Sequence, residues 1–336
     1  MTKTFNYYFA IAGTMLLSLA GCSKSSTSDT IYGNWVHSVD FDGNARSEAV
    51  SFTINDKTYI ALGSTDRDRF ADLWVYDNTR RYWSQKASFP GVARNSAVAF
   101  VINGKAYVGT GYDGNNYLKD FWEYDPAADV WTQKADFAGT ARYDAVAFSL
   151  GTSGYVSCGY DGNYLKDLWQ YDPAANTWTQ KASIGGTKRS AATAFVLNDK
   201  AYVVSGNNNG TALDDMWMYD QGSDSWTEKR RLSNATSDSY DDYYTTISRY
   251  NAVSFIMAGK AYLATGENGS FTTDTWEYDS VNDLWTKKSA FEGSSRTGAI
   301  AFTLDDRGFV LTGRNGNLSY DNMYEFFPLE ELDTSD

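Results

Sequence analysis

The segment GYDGNNYLKDFWEYDPAADVWTQKA begins at Gly111, and 48 positions later the chain reads GYDGNYLKDLWQYDPAANTWTQKA from Gly159. Near-copies at a period of roughly 20 to 50 residues mean that one supersecondary unit is repeated, because a unit that short must stack on its copies to bury its apolar face. An arginine followed at its third position by a small apolar quartet marks the period. It occurs at Arg46 (AVSF), Arg94 (AVAF), Arg142 (AVAF), Arg189 (ATAF), Arg249 (AVSF) and Arg296 (AIAF), with spacings of 48, 48, 47, 60 and 47.

Within each unit the quartet leads into a short polar turn and then an aromatic residue four positions before a glycine, as in Tyr107 and Gly111. A W-x-Y segment follows, such as Trp122 to Tyr124, then a DPAAD-type turn and a second tryptophan. Period-2 alternation between turn residues reads as four short strands in a meander. The first strand is built from Ala and Ser, whereas the third and fourth carry the Trp residues. The unit therefore tapers, with small side chains where sheets crowd an axis and large ones at the rim. The expected fold class is all-β, a six-bladed β-propeller of four-stranded antiparallel blades.

This pattern of aromatic, Gly, W-x-Y-D, Trp and Arg resembles the kelch repeat, and the resemblance covers residues 31–327. Kelch units usually carry Gly-Gly after the second strand, but here the first of those positions is Leu62, Thr110, Cys158, Ser205, Thr265 or Thr312. The sixth unit lacks a fourth strand after Phe327. Trp35 precedes Arg46 by 11 residues, the separation that also holds for Trp83 and Arg94, so WVHSVDF is expected to complete the sixth blade and protect its edge.

The N-terminal run FAIAGTMLLSLAGC follows a lone Lys3, is short for a membrane span and suits a signal peptide. Its end, Leu19 to Cys22, resembles the lipobox of bacterial lipoproteins, in which the cysteine becomes the lipid-modified first residue. The expected organisation is a signal peptide at 1–21, a flexible tether at 22–30, the propeller at 31–327 and an acidic tail at 328–336. That implies lipid anchoring at the cell envelope, on the outer membrane facing the periplasm or the cell surface. The formal net charge of −13 is spread along the chain and argues against nucleic-acid binding. A monomer is expected.

One His and, apart from Cys22, one Cys leave no material for a His-rich metal site or a Ser-His-Asp triad. His37 falls at an exposed position of an outer strand, and Cys158 at a small packed position. DFDGN (40–44) and TDRDR (65–69) do not complete a calcium loop. No metal or cofactor is expected. The six repeat arginines are too regular for a ligand-binding ring and read as a shared scaffold contact.

Loops from strand two to three and connections between blades must share one face, and that face carries the variation. Its expected ligand contacts follow the repeat Arg (Asn95, Tyr143, Tyr250) or the repeat Gly. The second group is Tyr112, Asp113, Asn116, Tyr160, Asp161, Asn163, Asn207, Asn208, Glu267, Asn268, Arg314 and Asn315. Twelve extra residues between Trp226 and Arg249 add Tyr240, Tyr243 and Tyr244. These residues suit a non-enzymatic module that binds a protein or a glycan. The alternative is an enzyme resembling the periplasmic kelch mutarotases of acidic sugars such as sialic acids, with Glu267 transferring the proton and Arg314 holding the sugar carboxylate.

The lipobox resemblance has a direct test. Mass spectrometry of the mature protein should find acylated Cys22 at its N-terminus, and Cys22→Ala should abolish membrane retention; a variant that stays membrane-bound with wild-type processing refutes the anchor.

Overall fold

The computed structural model describes Met1 and residues 31–335. The apolar segment, Cys22 and the tether lie outside the described residues. From Tyr32 onward the chain forms six four-stranded antiparallel sheets. Blade one is built from Val50–Ile54, Lys57–Ala61, Leu73–Asp77 and Tyr82–Lys86, paired in sequence order. Among the described residues no helix is long and apolar enough to cross a membrane.

The innermost strands alternate as their sequence demands. In Val50–Ile54 the Val, Phe and Ile are buried, while Ser51 and Thr53 keep some exposure. The apolar set packs between blades: Phe52 stacks on Tyr59 at 5.2 Å, and both meet Tyr124 of the next blade. The hydroxyl set ties first strands together, with Ser51 Oγ donating to Ala301 O at 3.0 Å and Ser149 Oγ to Val101 O at 2.7 Å. At the rim each outer Trp leans on a third-strand aromatic, as Trp131 does on Tyr124 at 4.9 Å.

Closure follows the same rule. Tyr32–His37 pairs antiparallel with Met323–Glu331, and Trp35 lies on Phe326 at 4.6 Å, the place an outer Trp takes in the other blades. The third strand of blade six runs on to Glu331, opposite Tyr32, so the residues from 328 expected as a tail begin inside the sheet. Asp333 N then donates to Asn34 Oδ1 at 2.9 Å.

All six repeat arginines are buried. In blades one to four each guanidinium grips an aspartate through both of its η nitrogens, as Arg94 grips Asp120 at 2.6 and 2.8 Å. Nη1 also donates to the carbonyl of the residue before the repeat Gly, Thr110 O at 3.0 Å in blade two. Burial alone would raise Asp72, Asp120 and Asp215, but the hydrogen bonds and charge of Arg46, Arg94 and Arg189 outweigh it and hold all three below the usual carboxylate range.

Blades five and six depart from this. Arg249 turns to backbone carbonyls of Thr246, Thr265 and Asp274, while the Asp274 carboxylate takes Thr246 and Lys287. Burial pushes Arg249 down to about 9. Arg296 meets Asn322 where the arginines of blades one to four meet Asp; its Nη2 is buried without a partner, and burial lowers it to about 10.

Asn322→Asp should therefore raise stability at pH 7 by roughly 1 to 3 kcal/mol, because it supplies the missing charged acceptor. The introduced carboxyl, held low like its counterparts, contributes above its unfolded pKa of about 4, and the gain fades as pH falls below that value. Urea unfolding at pH 7 and pH 3 checks both points; an unchanged or lower midpoint at pH 7 contradicts the assignment.

Candidate functional site

In every blade the residue after the repeat Arg and the residue after the repeat Gly form an antiparallel bridge. Asn95 faces Tyr112, Tyr143 faces Tyr160, Tyr250 faces Glu267 and Thr297 faces Arg314. The bridges set the blade connections against the loops between strands two and three, the one face expected to hold both. One residue further on, Glu48, Ser96, Asp144, Ala191, Asn251 and Gly298 circle the axis with φ between 51° and 61°. Each donates its backbone N–H to the preceding member's carbonyl, from Ser96 on Glu48 at 2.9 Å round to Glu48 on Gly298 at 2.7 Å. Their side chains rim an axial cavity of about 120 Å³.

Blades five, six and one hold most of the charge. Glu48 accepts Arg314 Nη2 at 3.2 Å and Ser96 Oγ at 3.2 Å, together with the amide of Asn95. Arg69 Nε donates to Asn95 Oδ1 at 2.8 Å and lies over the Tyr112 ring. Glu48, Arg69, Asn95, Tyr112 and Arg314 border a cavity of about 290 Å³ whose walls also include Ser47, Ser64 and Thr65. Enclosure by the blades, then the charge of Glu48, pushes the Asp144 carboxyl up to about 7, although Ser96 and Arg314 pull the other way.

Blades two and three carry tyrosines instead. Tyr112, Tyr117, Tyr143, Tyr160 and Tyr164 form one belt of touching rings with centroids 5.1 to 6.2 Å apart. Burial, then the charge of Asp144, lifts Tyr143 to about 12. Tyr250 is raised by burial and by Glu267 and Tyr164.

Several expected contacts serve the loops themselves. Asp113 Oδ1 accepts the N–H groups of Asn115 and Asn116, and its Oδ2 takes the Asn116 amide. Asp161 holds the N–H of Asn163, and Asn207 that of Gly210. Asn208, Asn268 and Asn315 each donate to the carbonyl before a repeat Arg, at Lys188, Ser248 and Ser295. Asn95 is 7% exposed, with its amide spent on Glu48 and Arg69.

The insertion corrects a further expectation. Tyr244 is 3% exposed; it packs edge-on to Trp276, and its hydroxyl accepts Trp285 N–H at 2.7 Å. It therefore fills the rim of blade five and cannot meet a ligand. Tyr240 packs on Tyr244 beneath Arg230, and only Tyr243, at 78%, is open. Glu48, Arg69, Tyr117, Asp144 and Tyr164 were missed by sequence reasoning. For Glu48 and Asp144 the signal available was chemical variation two places after the repeat Arg, inside an otherwise uniform strand entry; Arg69, Tyr117 and Tyr164 lie in the variable loops after the repeat Gly.

The opposite face bears a groove of about 730 Å³ between blades one and two, lined by turn residues such as Asn55, Asn103 and Pro126. It is larger, but its walls are the turns that the repeat keeps most alike. His37 is exposed and bonded to Asp40 at 2.8 Å, and Cys158 is buried. Among the described residues no His, Cys, Asp and Glu group fits a metal ion.

Six antiparallel four-stranded sheets, closed by the first strand and carrying chemically varied bridge residues on one face, define a six-bladed β-propeller. The family model described as the KLHDC2/KLHL20/DRC7 Kelch-repeats domain matches residues 141–313, and that of the Kelch motif matches residues 93–137. The chain belongs to the kelch-repeat family. Among solved structures, the one titled "Structure of YjhT" is similar in fold, with a TM-score of 0.70 and 17% identity over 85% of this chain and 96% of that chain. No curated protein matches the chain.

Asp144 gives the basin a pH signature. Its folded pKa lies above the unfolded value of about 4, so the native state loses stability as pH rises from about 4 through 7. Asp144→Asn should be more stable than wild type at pH 8 by on the order of 1 to 2 kcal/mol, a figure discounted for channel water, and indistinguishable from it near pH 4. Thermal melts across that range check the sign; a difference that grows toward low pH contradicts it.

Proposed function

We propose that this kelch propeller is a non-enzymatic binding module, displayed on a lipidated Cys22 at the bacterial cell envelope, that takes a glycan or a protein on its loop face. One observation carries the reading. Core-facing strand positions of the repeat are nearly invariant from blade to blade, whereas the bridge residues beside the basin, several of them buried, change from Ser to Asn, Tyr, Thr, Glu and Arg. A rigid frame with chemically distinct groups at equivalent positions is how a scaffold carries specificity.

A second reading, the acidic-sugar mutarotase, has one observation in its favour. Thr297 donates its hydroxyl to Glu267 at 2.8 Å while its backbone is bridged to Arg314, so the two expected reactive groups share a neighbour. Against it, Arg314 is already paired with Glu48.

A screen of glycans, sugar acids and envelope proteins against the soluble chain from Asp29 supplies the ligand. Glu267→Gln, Arg314→Ala and Tyr250→Ala should then weaken binding by about 1 to 2 kcal/mol each without lowering the melting temperature, while Lys57→Ala and Thr79→Ala on the opposite face leave it unchanged. A footprint on the turns at 126–129 or 173–176 refutes the face assignment. NMR anomerisation rates with sialic acid, if accelerated by the protein, favour the enzyme.

A further inference from the structure

Six core tyrosines among the described residues end on a protein acceptor: Tyr107 on Glu123, Tyr124 on Asp129, Tyr171 on Asn176, Tyr219 on Asp224, Tyr262 on Glu277 and Tyr278 on Asp283, at 2.7 to 2.9 Å, whereas the Tyr155 hydroxyl is sealed in the core without one. In the belt only the Tyr112 hydroxyl has such a partner, the carbonyl of Gly114 at 2.6 Å. The hydroxyls of Tyr117, Tyr143, Tyr160, Tyr164 and Tyr250 make no hydrogen bond to the described protein. Five phenols on one arc of the basin thus have their polar ends available, and the rings of the four in the belt hold one another in place.

Resting on the loop-face reading, we infer that this belt is a subsite for a neutral oligosaccharide, whose sugar rings lie along the tyrosines of blades two and three and end toward Tyr250. A sugar presents C–H groups on its faces and hydroxyls at its edges. The belt matches both, with apolar ring surface for the first and phenolic O–H groups, able to donate and accept, for the second. Charge favours a neutral chain: Arg314 is engaged by Glu48, and Arg69, at the Tyr112 end of the belt, is engaged by Asn95 and laid over the Tyr112 ring. Asp144, whose charge acts on Tyr143, repels anions when charged and donates a proton when neutral. Exposure favours a narrow chain over a protein surface. Only Tyr117, at 37%, stands clear of its neighbours; the other rings are partly sheltered, so a flat partner would reach little more than their edges.

Rigid rings lose little side-chain entropy when a ligand arrives, which is what a stacking platform requires. The test uses the soluble chain from Asp29 and isothermal titration with a panel of hexaoses (malto-, cello-, laminari-, xylo- and manno-) beside oligogalacturonate as the charged probe. At least one neutral hexaose should bind. Tyr117→Ala and Tyr164→Ala should each weaken it about tenfold, with Tyr143→Phe, which keeps the ring and removes the hydroxyl, weakening it severalfold at an unchanged melting temperature. Lys57→Ala, on the opposite face, should leave it unaffected. No binding of any neutral hexaose at millimolar concentration, or binding indifferent to all three tyrosine variants, overturns the proposal. So does preference for oligogalacturonate with loss on Arg314→Ala, or an envelope protein as the occupant of the belt; either of those outcomes leaves the loop-face reading standing.

Discussion

Two concentric rings of backbone hydrogen bonds join the blades, and every other feature of the molecule hangs from them. In the outer ring each repeat Gly donates its N–H to the carbonyl of the next blade's Arg, from Gly63 on Arg94 at 2.9 Å round to Gly313 on Arg46 at 2.8 Å. The inner ring runs through the residues two places after each Arg. Both require backbone that L-residues seldom adopt. Gly111, at φ +101°, would bring a Cβ within 2.8 Å of the Asn95 carbonyl, so no side chain fits there. The residue before it is not Gly in any blade, yet its φ lies between 52° and 64° in all six. Such strain persists only where surrounding contacts over-determine it, and the buried Arg on that residue's carbonyl is the contact that does so.

The arginine therefore acts through geometry more than through charge. It draws together the carbonyl at the strained corner, the carbonyl two residues before itself and the aspartate that opens the third strand; in blade two these are Thr110, Val92 and Asp120. Three segments distant in sequence are pinned at one point, which fixes how far the loop between strands two and three leans over the basin. The arrangement is loosest in blades five and six, beside the insertion and the closing strand. There the scaffold relies on backbone acceptors and aromatic contacts, with Arg296 lying over Phe291 at 4.9 Å and Tyr320 at 4.4 Å.

The fold was legible because a repeat multiplies weak local signals: one alternating pentapeptide is ambiguous, but six in register with the same Arg and Gly are not. Even the closing strand was legible, since Trp35 keeps the repeat's distance to Arg46. The site was legible only as a face. Spacing located Tyr112, Tyr143, Tyr160 and Tyr250, but it could not distinguish Asn208, whose amide staples its own loop, from a contact residue. Nor could it foresee that Tyr244 fills a hole at the rim, because the twelve inserted residues have no counterpart in other blades to calibrate them. Asp144 was overlooked for the opposite reason. It sits inside the repeat at a position with no motif of its own, and its chemistry depends on a ring that only the closed structure brings together.

The closing strand also decides where the molecule feels force. The chain enters the ring at Tyr32 and leaves it at Glu331, and these two residues are paired across the same ladder. A pull applied at Ile31 is thus delivered to a single strand, held by its ladder to Met323–Glu331, by Trp35 on Phe326 and by Asn34 on Asp333. Blade six is the mechanical fuse of the propeller: tension from the N-terminal side falls first on that strand and on its seam with blade five, where Tyr32 O accepts Ser289 N–H and Trp35 donates to Glu292 and Thr275, while the other four blades lie beyond it.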